Sequence, residues 1–384
     1  MAGCYGCRSF YATRGEDWSD SFSYTLTVSA GYATQPGSKF RRTRSIMRTD
    51  LISSSPSLRI ALVGLGTIGK RLVDIVSHIP EFSVSGVAVR SISPALSPMV
   101  ESGIPIYSST NDCIFPAEIP CAGKLSDLLE KSDFVLDCTS RGNGAKLQQW
   151  YERANIRVIY QGGESSSLAS VNYCSGIGFK EAISAPSVRV MSCNSTGLIR
   201  IAQALSRLGT VETIRAVLTR SATDPDKYMK GQPNAIISTF GESHHGQDIR
   251  VIWPNLNIIT LASYAPVNCG HLVTLFAKLS EPISLDVAIC TLEKIPRVRV
   301  IDGSGSLLEL RRINKSSKRR DCSDVVIWRK GIHVIGNEVL LSAGIHMESI
   351  VIPETLDVLF AMSGLEKKID QARHRTDLAI YNYL

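Results

Sequence analysis

The stretch that most constrains the fold is an apolar segment that runs into a glycine turn and then into a helical pattern. Residues 58–63 are mostly apolar, and Gly64-Leu65-Gly66-Thr67-Ile68-Gly69 follows directly. Three glycines at this spacing allow a tight turn, close approach of a pyrophosphate and close helix–strand packing. We therefore expect a dinucleotide-binding turn, with the cofactor contacted by Gly64, Gly66, Thr67, Ile68 and Gly69.

The end of the next predicted strand bears on the choice of cofactor. Residues 84–89 form an apolar run that ends in Arg90 and Ser91, where NAD-binding domains usually carry a carboxylate for the ribose hydroxyls. A guanidinium and a hydroxyl suit a 2′-phosphate. The sequence therefore predicts NADP and/or NAD as cofactor, with the alternative that Arg90 merely points into solvent.

Two more apolar runs, residues 133–138 and 156–160, flank a helical segment over 144–154. This alternation predicts an α/β Rossmann cofactor domain, doubly wound with a mostly parallel sheet. The loops at 139–142 and 161–164 then fall at the carboxyl edge of the sheet, where ligands bind.

A single cysteine stands where a strand should turn into a helix. Ser192-Cys193-Asn194-Ser195-Thr196-Gly197 leads into an apolar run over 198–205. At a helix N-terminus the dipole and the unpaired backbone N–H groups favour a thiolate and can hold an oxyanion. The residues alone leave two readings: Cys193 is a nucleophile, or it is a small buried thiol beside a helix cap.

Long β-type runs follow the cysteine and predict a second domain. They cover residues 211–220, 248–253, 258–265 and 272–279; a helix is expected over 284–295 and shorter strands at 325–328 and 339–341. This pattern predicts an α+β catalytic domain with a mostly antiparallel sheet.

The expected boundaries follow from these runs. Residues 1–57 form a disordered or non-native extension, 58–192 the Rossmann domain, and 193–343 the catalytic domain. The helical tail, 344–384, completes the first domain.

Composition excludes several other classes. No uncharged apolar run approaches the length of a membrane span, so we expect no membrane partner. The scattered cysteines predict reduced thiols and a cytoplasmic location. Cys4 and Cys7 lack a second pair at zinc-ligand spacing, so no metal site is expected. Residues 311–320 are strongly basic but lack aromatics, which makes nucleic acid an unlikely partner and favours a solvated loop or an anion-docking surface.

Seven motifs appear in one order along the chain and together resemble the archaeal-type phosphorylating glyceraldehyde-3-phosphate dehydrogenases over about residues 58–384. They are Gly64-Leu65-Gly66-Thr67-Ile68-Gly69-Lys70-Arg71, Gln161-Gly162-Gly163-Glu164, Ser192 to Gly197, Asp224-Pro225, Pro233-Asn234-Ala235-Ile236, Ser243-His244-His245-Gly246, and His346-Met347-Glu348-Ser349-Ile350-Val351-Ile352-Pro353-Glu354.

The resemblance implies reversible conversion of D-glyceraldehyde 3-phosphate, inorganic phosphate and NAD(P) to 1,3-bisphosphoglycerate and NAD(P)H in glycolysis or gluconeogenesis. It also implies a homotetramer. Cys193 matches the nucleophile that forms a thiohemiacetal and then a thioester, and His271 matches the general base in preference to His244 or His245. The remaining roles carried over are substrate or phosphate binding by Ser192, Asn194, Arg220, His244 and His245, and cofactor binding by Gly163 and Asn337.

The chain departs from the family pattern at several of these motifs. Ser221 replaces a second arginine, which puts the affinity of one phosphate site in doubt, and Val273 stands where the family usually has a second histidine. Ser140 and Met347 replace a proline and a glutamine near the cofactor.

Two alternatives stay open at this point. One is another cysteine-dependent semialdehyde or acyl-phosphate reductase of the same two-domain plan. The other is a non-catalytic relative that retains the scaffold to bind a nucleotide or RNA.

Overall fold

The computed structural model describes residues 57–110, 115–222, 236–316 and 322–381, with side chains omitted at 314–316 and 381. The expectations for residues 1–56, and the motif residues at 224–225 and 233–235, lie outside the described residues. The described part forms two eight-stranded sheets with helices packed against them.

The first sheet is parallel throughout and confirms the predicted Rossmann-type architecture. Its order is β4-β3-β2-β1-β5-β6-β8-β7. The strands are β1 (Leu58–Val63), β2 (Phe82–Val89), β3 (Ile106–Ser108), β4 (Cys121–Lys124), β5 (Phe134–Asp137), β6 (Arg157–Tyr160), β7 (Val171–Tyr173) and β8 (Ser187–Val190). The helices of this part are α1 (Thr67–Val76), α2 (Ser97–Glu101), α3 (Leu125–Glu130), α4 (Asn143–Arg153) and α5 (Phe179–Ala182).

The second sheet is mixed and mostly antiparallel, as predicted for an α+β domain. Its order is β10-β11-β9-β12-β16-β14-β13, and β15 pairs with β16. The strands are β9 (Val211–Ser221), β10 (Ile237–Thr239), β11 (Ile258–Ala265), β12 (His271–Leu279), β13 (Val298–Ile301), β14 (Val325–Trp328), β15 (His333–Ile335) and β16 (Glu338–Ile345). The helices are α6 (Cys193–Ser206), α7 (His244–Ile252), α8 (Leu285–Glu293) and α9 (Leu308–Ser316).

One predicted strand is wrong. Residues 248–253 lie mostly in α7, whose buried residues are His245, Gly246 and Ile249. That spacing places them on one face of a helix, which packs against the second sheet. The three β-branched residues Ile249, Val251 and Ile252 suggested a strand, but tertiary packing overrides so weak a local preference.

The chain ends in two helices, α10 (Ile352–Met362) and α11 (Ile369–Tyr381). Every residue of α10 is buried. This helix contacts the first sheet: the rings of Phe82 and Phe360 lie 5.5 Å apart, and the Tyr173 hydroxyl donates to Asp357 at 3.2 Å. The C-terminal helices thus pack with the parallel sheet, while the boundaries proposed at 192 and 343 stay a prediction.

A buried ion pair connects α10 to the helix that begins at Cys193. Arg200 of α6 and Glu354 of α10 are both fully buried, with 2.6 Å between Nη2 and Oε1. Arg200 also donates to the carbonyl of Ser323 at 2.7 Å, and the N–H of Ser175 donates to Glu354 at 2.6 Å. Four separate segments therefore meet at one pair of charges.

A second arginine extends this cluster. Arg297, just before β13, binds Asp357 through two hydrogen bonds of 2.6 and 2.9 Å. Burial alone would raise the pKa of the Glu354 carboxyl, but the guanidinium groups of Arg200 and Arg297 outweigh burial and hold that pKa below its ordinary value. Glu354 is therefore an anion in the folded protein at neutral pH.

Replacing Glu354 by glutamine leaves the Arg200 charge buried and uncompensated, so we expect a loss of about 3 kcal/mol or more in the free energy of unfolding at pH 7. The lowered pKa means that the stabilisation is complete above the ordinary glutamate range and is lost as the pH falls through the folded-state value. The difference in the free energy of unfolding between wild type and Glu354→Gln should therefore become smaller at acidic pH. Urea denaturation of Glu354→Gln against wild type from pH 7 to pH 3 measures it. Glu212→Gln, which breaks the exposed Glu212–Lys278 pair, is the control and should change stability far less. Equal losses in the two variants would contradict the structural role of the buried pair.

Candidate functional site

The glycines of the turn after β1 are of two kinds, those packed against backbone and one that borders open space. Gly64 has φ +90°, and a Cβ there would lie 3.0 Å from the backbone of Cys138; at Gly69 it would lie 2.2 Å from the Gly64 carbonyl oxygen. Gly66 has no atom within 4 Å of such a Cβ and is solvent-exposed. Gly64 and Gly69 are therefore needed by the fold, whereas Gly66 borders open space.

That open space lies at the start of α1. Gly66 is the N-cap residue and supplies no side-chain hydrogen bond, and Thr67 and Ile68 are the first residues of the helix. No acidic residue stands in the first turn. A helix N-terminus of this kind attracts a phosphate.

Arg90 and Ser91 follow β2 directly and both are solvent-exposed. The neighbouring strand β3 runs parallel to β2 and brings Ser108 opposite Val89, so hydroxyl groups and one cation occupy this end of the sheet. Arg90 and Ser91 are therefore accessible from solvent at the carboxyl end of β2.

Two buried carboxylates shape the loops at the carboxyl edge. Glu164 accepts hydrogen bonds of 2.9 Å from the N–H groups of Gly142 and Gly144 and thereby caps α4. Asp137, at the end of β5, accepts from Thr139 and Tyr151, and burial raises its pKa. Both were missed as structural groups by the sequence analysis, because their partners are adjacent only in the folded chain.

The loop after β6 touches the segment that leads into Cys193. A Cβ on Gly162 would lie 2.4 Å from the backbone nitrogen of Ser192, so only glycine permits this approach. Gly163, the next residue, lies against Arg141. The carboxyl edge of the parallel sheet is therefore in direct contact with the strand-to-helix turn at Ser192-Cys193, which we call the cysteine corner.

Cys193 is the first residue of α6, and Ser192 is its N-cap. The Ser192 hydroxyl bonds to the hydroxyl of Ser195 at 2.9 Å and does not cap the helix. Cys193 is partly exposed, whereas Asn194 to Leu205 are nearly all buried. The thiol therefore sits at the positive end of a firmly packed helix, as its sequence context predicts.

His245 is held by hydrogen bonds at both ring nitrogens. Nε2 lies 3.3 Å from Nδ2 of Asn194, and Nδ1 lies 3.1 Å from the hydroxyl of Ser243. Asn194 donates here, so Nε2 accepts and Nδ1 carries the proton. His244 stacks on His245 with ring centroids 4.0 Å apart. His245 is thus engaged in orienting Asn194, a role that the sequence did not suggest.

Arg220 is fixed by a residue that the sequence analysis did not name. Its Nη1 donates to the Tyr264 hydroxyl at 2.8 Å, and the guanidinium lies 4.8 Å from the centre of the same ring. Tyr264 pairs with Arg220 in the sheet register. Finding this partner requires the β9–β11 register, which no local pattern reveals.

His271 begins β12 and is 3% exposed. The N–H of Ser221 donates to His271 Nδ1 at 2.9 Å. A nitrogen that accepts an N–H cannot carry a proton, so the neutral ring has its proton on Nε2. Nε2–H is then the donor group of the neutral ring, and the role of His271 as general base stays a prediction.

Sheet pairing brings His271 towards Arg220 and the cysteine helix. Leu272 pairs with Thr219, so the antiparallel register places His271 opposite Arg220 at the next position. His271 also pairs with Ile345, and Ile345 Cδ1 would lie 2.3 Å from a Cβ on Gly197, one turn after Cys193. The start of β12 and the start of α6 therefore share Ile345 as a neighbour.

Asn337 is not brought to this site. It lies between β15 and β16, and its Nδ2 donates to the Leu279 carbonyl at 2.7 Å. Eight residues of strand separate it from Ile345, roughly 25 Å. Asn337 therefore secures the far end of the sheet, and its assignment to the cofactor has no support in the geometry.

Within residues 57–110, 115–222, 236–316 and 322–381, no cluster of three or more His, Cys, Asp or Glu side chains is arranged to hold a metal ion. Across the same ranges, no helix has the length and hydropathy to span a membrane.

A parallel sheet with a glycine turn, joined to a mixed sheet at a cysteine-bearing helix, defines a two-sheet oxidoreductase of the nucleotide-binding kind. Residues 192–319 match the family model described as "Glyceraldehyde 3-phosphate dehydrogenase, C-terminal domain". Three curated relatives carry the name glyceraldehyde-3-phosphate dehydrogenase. They come from Hyperthermus butylicus (33% identical, covering 83% of this chain and 96% of the relative), Methanosarcina mazei (34%, 84% and 98%) and Methanothermobacter thermautotrophicus (31%, 84% and 99%). The chain belongs to the glyceraldehyde-3-phosphate dehydrogenase family.

Membership of this family confirms the resemblance and does not favour the semialdehyde-reductase or binding-protein alternatives. It also implies a nicotinamide cofactor, without fixing which one. The residues of the glycine turn fit such a group, because Gly66 leaves space at the N-terminus of α1.

The two kinds of glycine give opposite expectations for alanine variants. Gly66→Ala places a methyl group in the space open to the cofactor, so we expect cofactor binding to weaken about tenfold or more with little change in Tm. Gly69→Ala forces a clash with the Gly64 carbonyl and should lower Tm instead. Fluorescence titration with NAD and NADP, alongside thermal unfolding, measures both. A Gly66→Ala protein that binds both cofactors like wild type would exclude this end of α1 as the phosphate site.

Proposed function

We propose that this protein oxidises D-glyceraldehyde 3-phosphate in the presence of inorganic phosphate and NAD(P), reversibly, to 1,3-bisphosphoglycerate. The observation that carries the proposal is the placement of Cys193 at the N-terminus of α6, against the carboxyl edge of the parallel sheet. A nucleophile at that point lies where a nicotinamide-dependent enzyme needs it.

Cys193 forms the covalent intermediate in this proposal. Its thiolate adds to the aldehyde carbon, and the carbonyl electron pair moves to oxygen. A bound nicotinamide would supply the hydride acceptor, and loss of hydride from that carbon would leave a thioester on Cys193. Attack by inorganic phosphate then releases the acyl phosphate and restores the thiolate. The dipole of α6 supports the thiolate before and after the reaction.

Asn194 and Arg220 are proposed to hold the substrate. The Oδ1 atom of Asn194 is buried and has no hydrogen-bond partner among the described residues, while Nδ2 faces His245. A substrate hydroxyl would satisfy that oxygen. Arg220 has a buried Nε without a partner among the described residues, which suits a phosphate oxygen.

The remaining predicted contacts belong to the same proposal. Ser192 lies two residues before Asn194 in sequence, and His244 lies next to His245. His245 accepts a hydrogen bond from Asn194. Gly163 lies on the loop between the cofactor edge and the cysteine corner. These placements support substrate roles for Ser192 and His244, a supporting role for His245 and a cofactor role for Gly163.

The proposed homotetramer is supported by the outer face of the second sheet. Four apolar side chains on adjacent strands are exposed there: Val217, Ile259, Leu261 and Phe276. The register makes them neighbours, because Leu261 pairs with Val217 while Ile259 and Phe276 both pair with Arg215. An apolar patch on a sheet face is typical of a subunit contact, and a second copy of this chain is its proposed occupant.

A cytoplasmic location is also proposed. It is supported by Cys121, Cys138, Cys174, Cys269 and Cys290, which are free thiols.

The activity is tested by following NADPH and NADH absorbance with glyceraldehyde 3-phosphate and phosphate. We expect reduction by wild type, and a fall in kcat of at least about 10⁴-fold in Cys193→Ser, because a serine hydroxyl is not ionised at neutral pH. Cys290→Ser, which changes an exposed cysteine of α8, should keep full activity. No reduction of either cofactor by wild type would overturn the proposed function.

NADP is the proposed preferred cofactor, because Arg90 and Ser91 stand where a carboxylate would select NAD. Arg90→Asp should raise KM for NADP about tenfold or more while KM for NAD stays the same or falls. Arg153→Asp, an exposed arginine near the end of α4, is the charge-matched control and should change neither. Equal effects of Arg90→Asp on both cofactors would show that Arg90 does not meet the 2′-phosphate.

A further inference from the structure

Ser221, the last residue of β9, contacts the segment of His271 at two points. Its N–H donates to His271 Nδ1 at 2.9 Å, and its hydroxyl donates to the Val267 carbonyl at 2.5 Å. Ser221 is 3% exposed, so both bonds are shielded from water. Ser221 thus holds both the imidazole ring of His271 and the segment of chain that precedes it.

The segment in question is the connection 266–270 between β11 and β12. On its other side, Arg311 of α9 donates to the Asn268 carbonyl at 3.2 Å. Gly270 has φ +142°, and a Cβ there would lie 2.6 Å from the Ile345 carbonyl oxygen and 2.9 Å from Leu310. The connection therefore contacts α9 and β16, and the Ser221 hydroxyl binds it from the end of β9.

We propose that Ser221 is a positioning residue for His271: its hydroxyl fixes the connection 266–270, and its N–H fixes the ring with the proton on Nε2. The inference rests on the proposed function. The neutral ring then offers Nε2–H as a donor to the oxygen that becomes negative when the Cys193 thiolate adds to the aldehyde.

This assignment requires no proton transfer at that stage. The sulfur–carbon bond forms as the carbonyl electron pair moves to oxygen. The same pair re-forms the carbonyl as the hydride leaves for the nicotinamide, the oxidant of the proposed reaction. His271 thus stabilises the oxyanion by a hydrogen bond and does not need to remove a proton from it.

The contacts of Ser221 also give a structural role to the serine that stands where the family usually has a second arginine. An arginine side chain has no hydroxyl to donate to the Val267 carbonyl, so it could not make the bond that Ser221 makes. The chain therefore has an anchor for His271 where the resemblance leads one to expect a phosphate ligand.

The hydroxyl is tested with Ser221→Ala, which keeps the N–H and removes the hydroxyl that donates to the Val267 carbonyl. We expect kcat to fall about 10- to 100-fold, since small displacements of a catalytic group have effects of that size, with KM for the cofactor unchanged. Ser221→Thr should recover most of the loss. Ser77→Ala removes a comparable serine-to-carbonyl bond in the first domain, at 2.7 Å to Val73, and should match wild type in kcat.

The state of the ring is tested with His271→Gln and His271→Asn. A glutamine amide reaches the Nε2 position and can donate there, whereas asparagine reaches only the Nδ1 position. We expect glutamine to retain about tenfold more kcat than asparagine, as loss of one donor to an oxyanion would cause. A base at this position predicts equal, severe losses.

The outcomes separate this inference from the proposed function. If wild type reduces NAD(P) but Ser221→Ala equals wild type in kcat, or the two His271 variants are equally impaired, the positioning role is overturned and the activity stands. If thermal unfolding shows that the Ser221→Ala protein is unfolded, the comparison of kcat between His271→Gln and His271→Asn still tests the inference. Inactivity of wild type removes the proposed function itself.

Discussion

The buried pair between Arg200 and Glu354 is the interaction on which the rest of the structure depends. Both side chains are fully buried, and a lone charge in that place would be very unfavourable. The pair ties α6 to α10, and its hydrogen bonds to Ser323 and Ser175 reach the segments just before β14 and just after β7. Because Cys193 opens α6, the position of the thiol is set by charges two turns further along the same helix.

The segments that carry Cys193 and His271 contact their neighbours at glycine residues. Gly162 brings the cofactor edge against Ser192, Gly197 brings α6 against Ile345, and Gly270 brings the connection before His271 against β16. A Cβ at Gly162 or Gly270 would meet backbone atoms at 2.4 or 2.6 Å, and one at Gly197 would meet the end of the Ile345 side chain at 2.3 Å. The site is consequently a place where backbones approach closely, which positions the thiol and the imidazole more rigidly than mobile loops would.

Local pattern was enough to predict both sheets, the glycine turn and the cysteine corner, because these depend on apolar periodicity and on glycine spacing. It failed for α7, where a β-branched run lies on a helix that tertiary packing stabilises. It also could not show that Glu164 caps α4, that Tyr264 holds Arg220 or that Ser221 holds His271. Those partners come together only through strand register and loop closure. Asn337 shows the converse: a family role was assigned to a residue that the register places at the far end of β16.

The central claim is that Cys193 carries the acyl group between hydride transfer and phosphate attack. Intact-mass and peptide mass spectrometry of wild type, mixed with glyceraldehyde 3-phosphate and NADP without phosphate and quenched in acid, measures this directly. The structure predicts an added phosphoglyceroyl group on the peptide that contains Cys193, formed only when cofactor is present and removed when phosphate is added. An active enzyme with no adduct under these conditions, or with the adduct on another cysteine, would contradict the account.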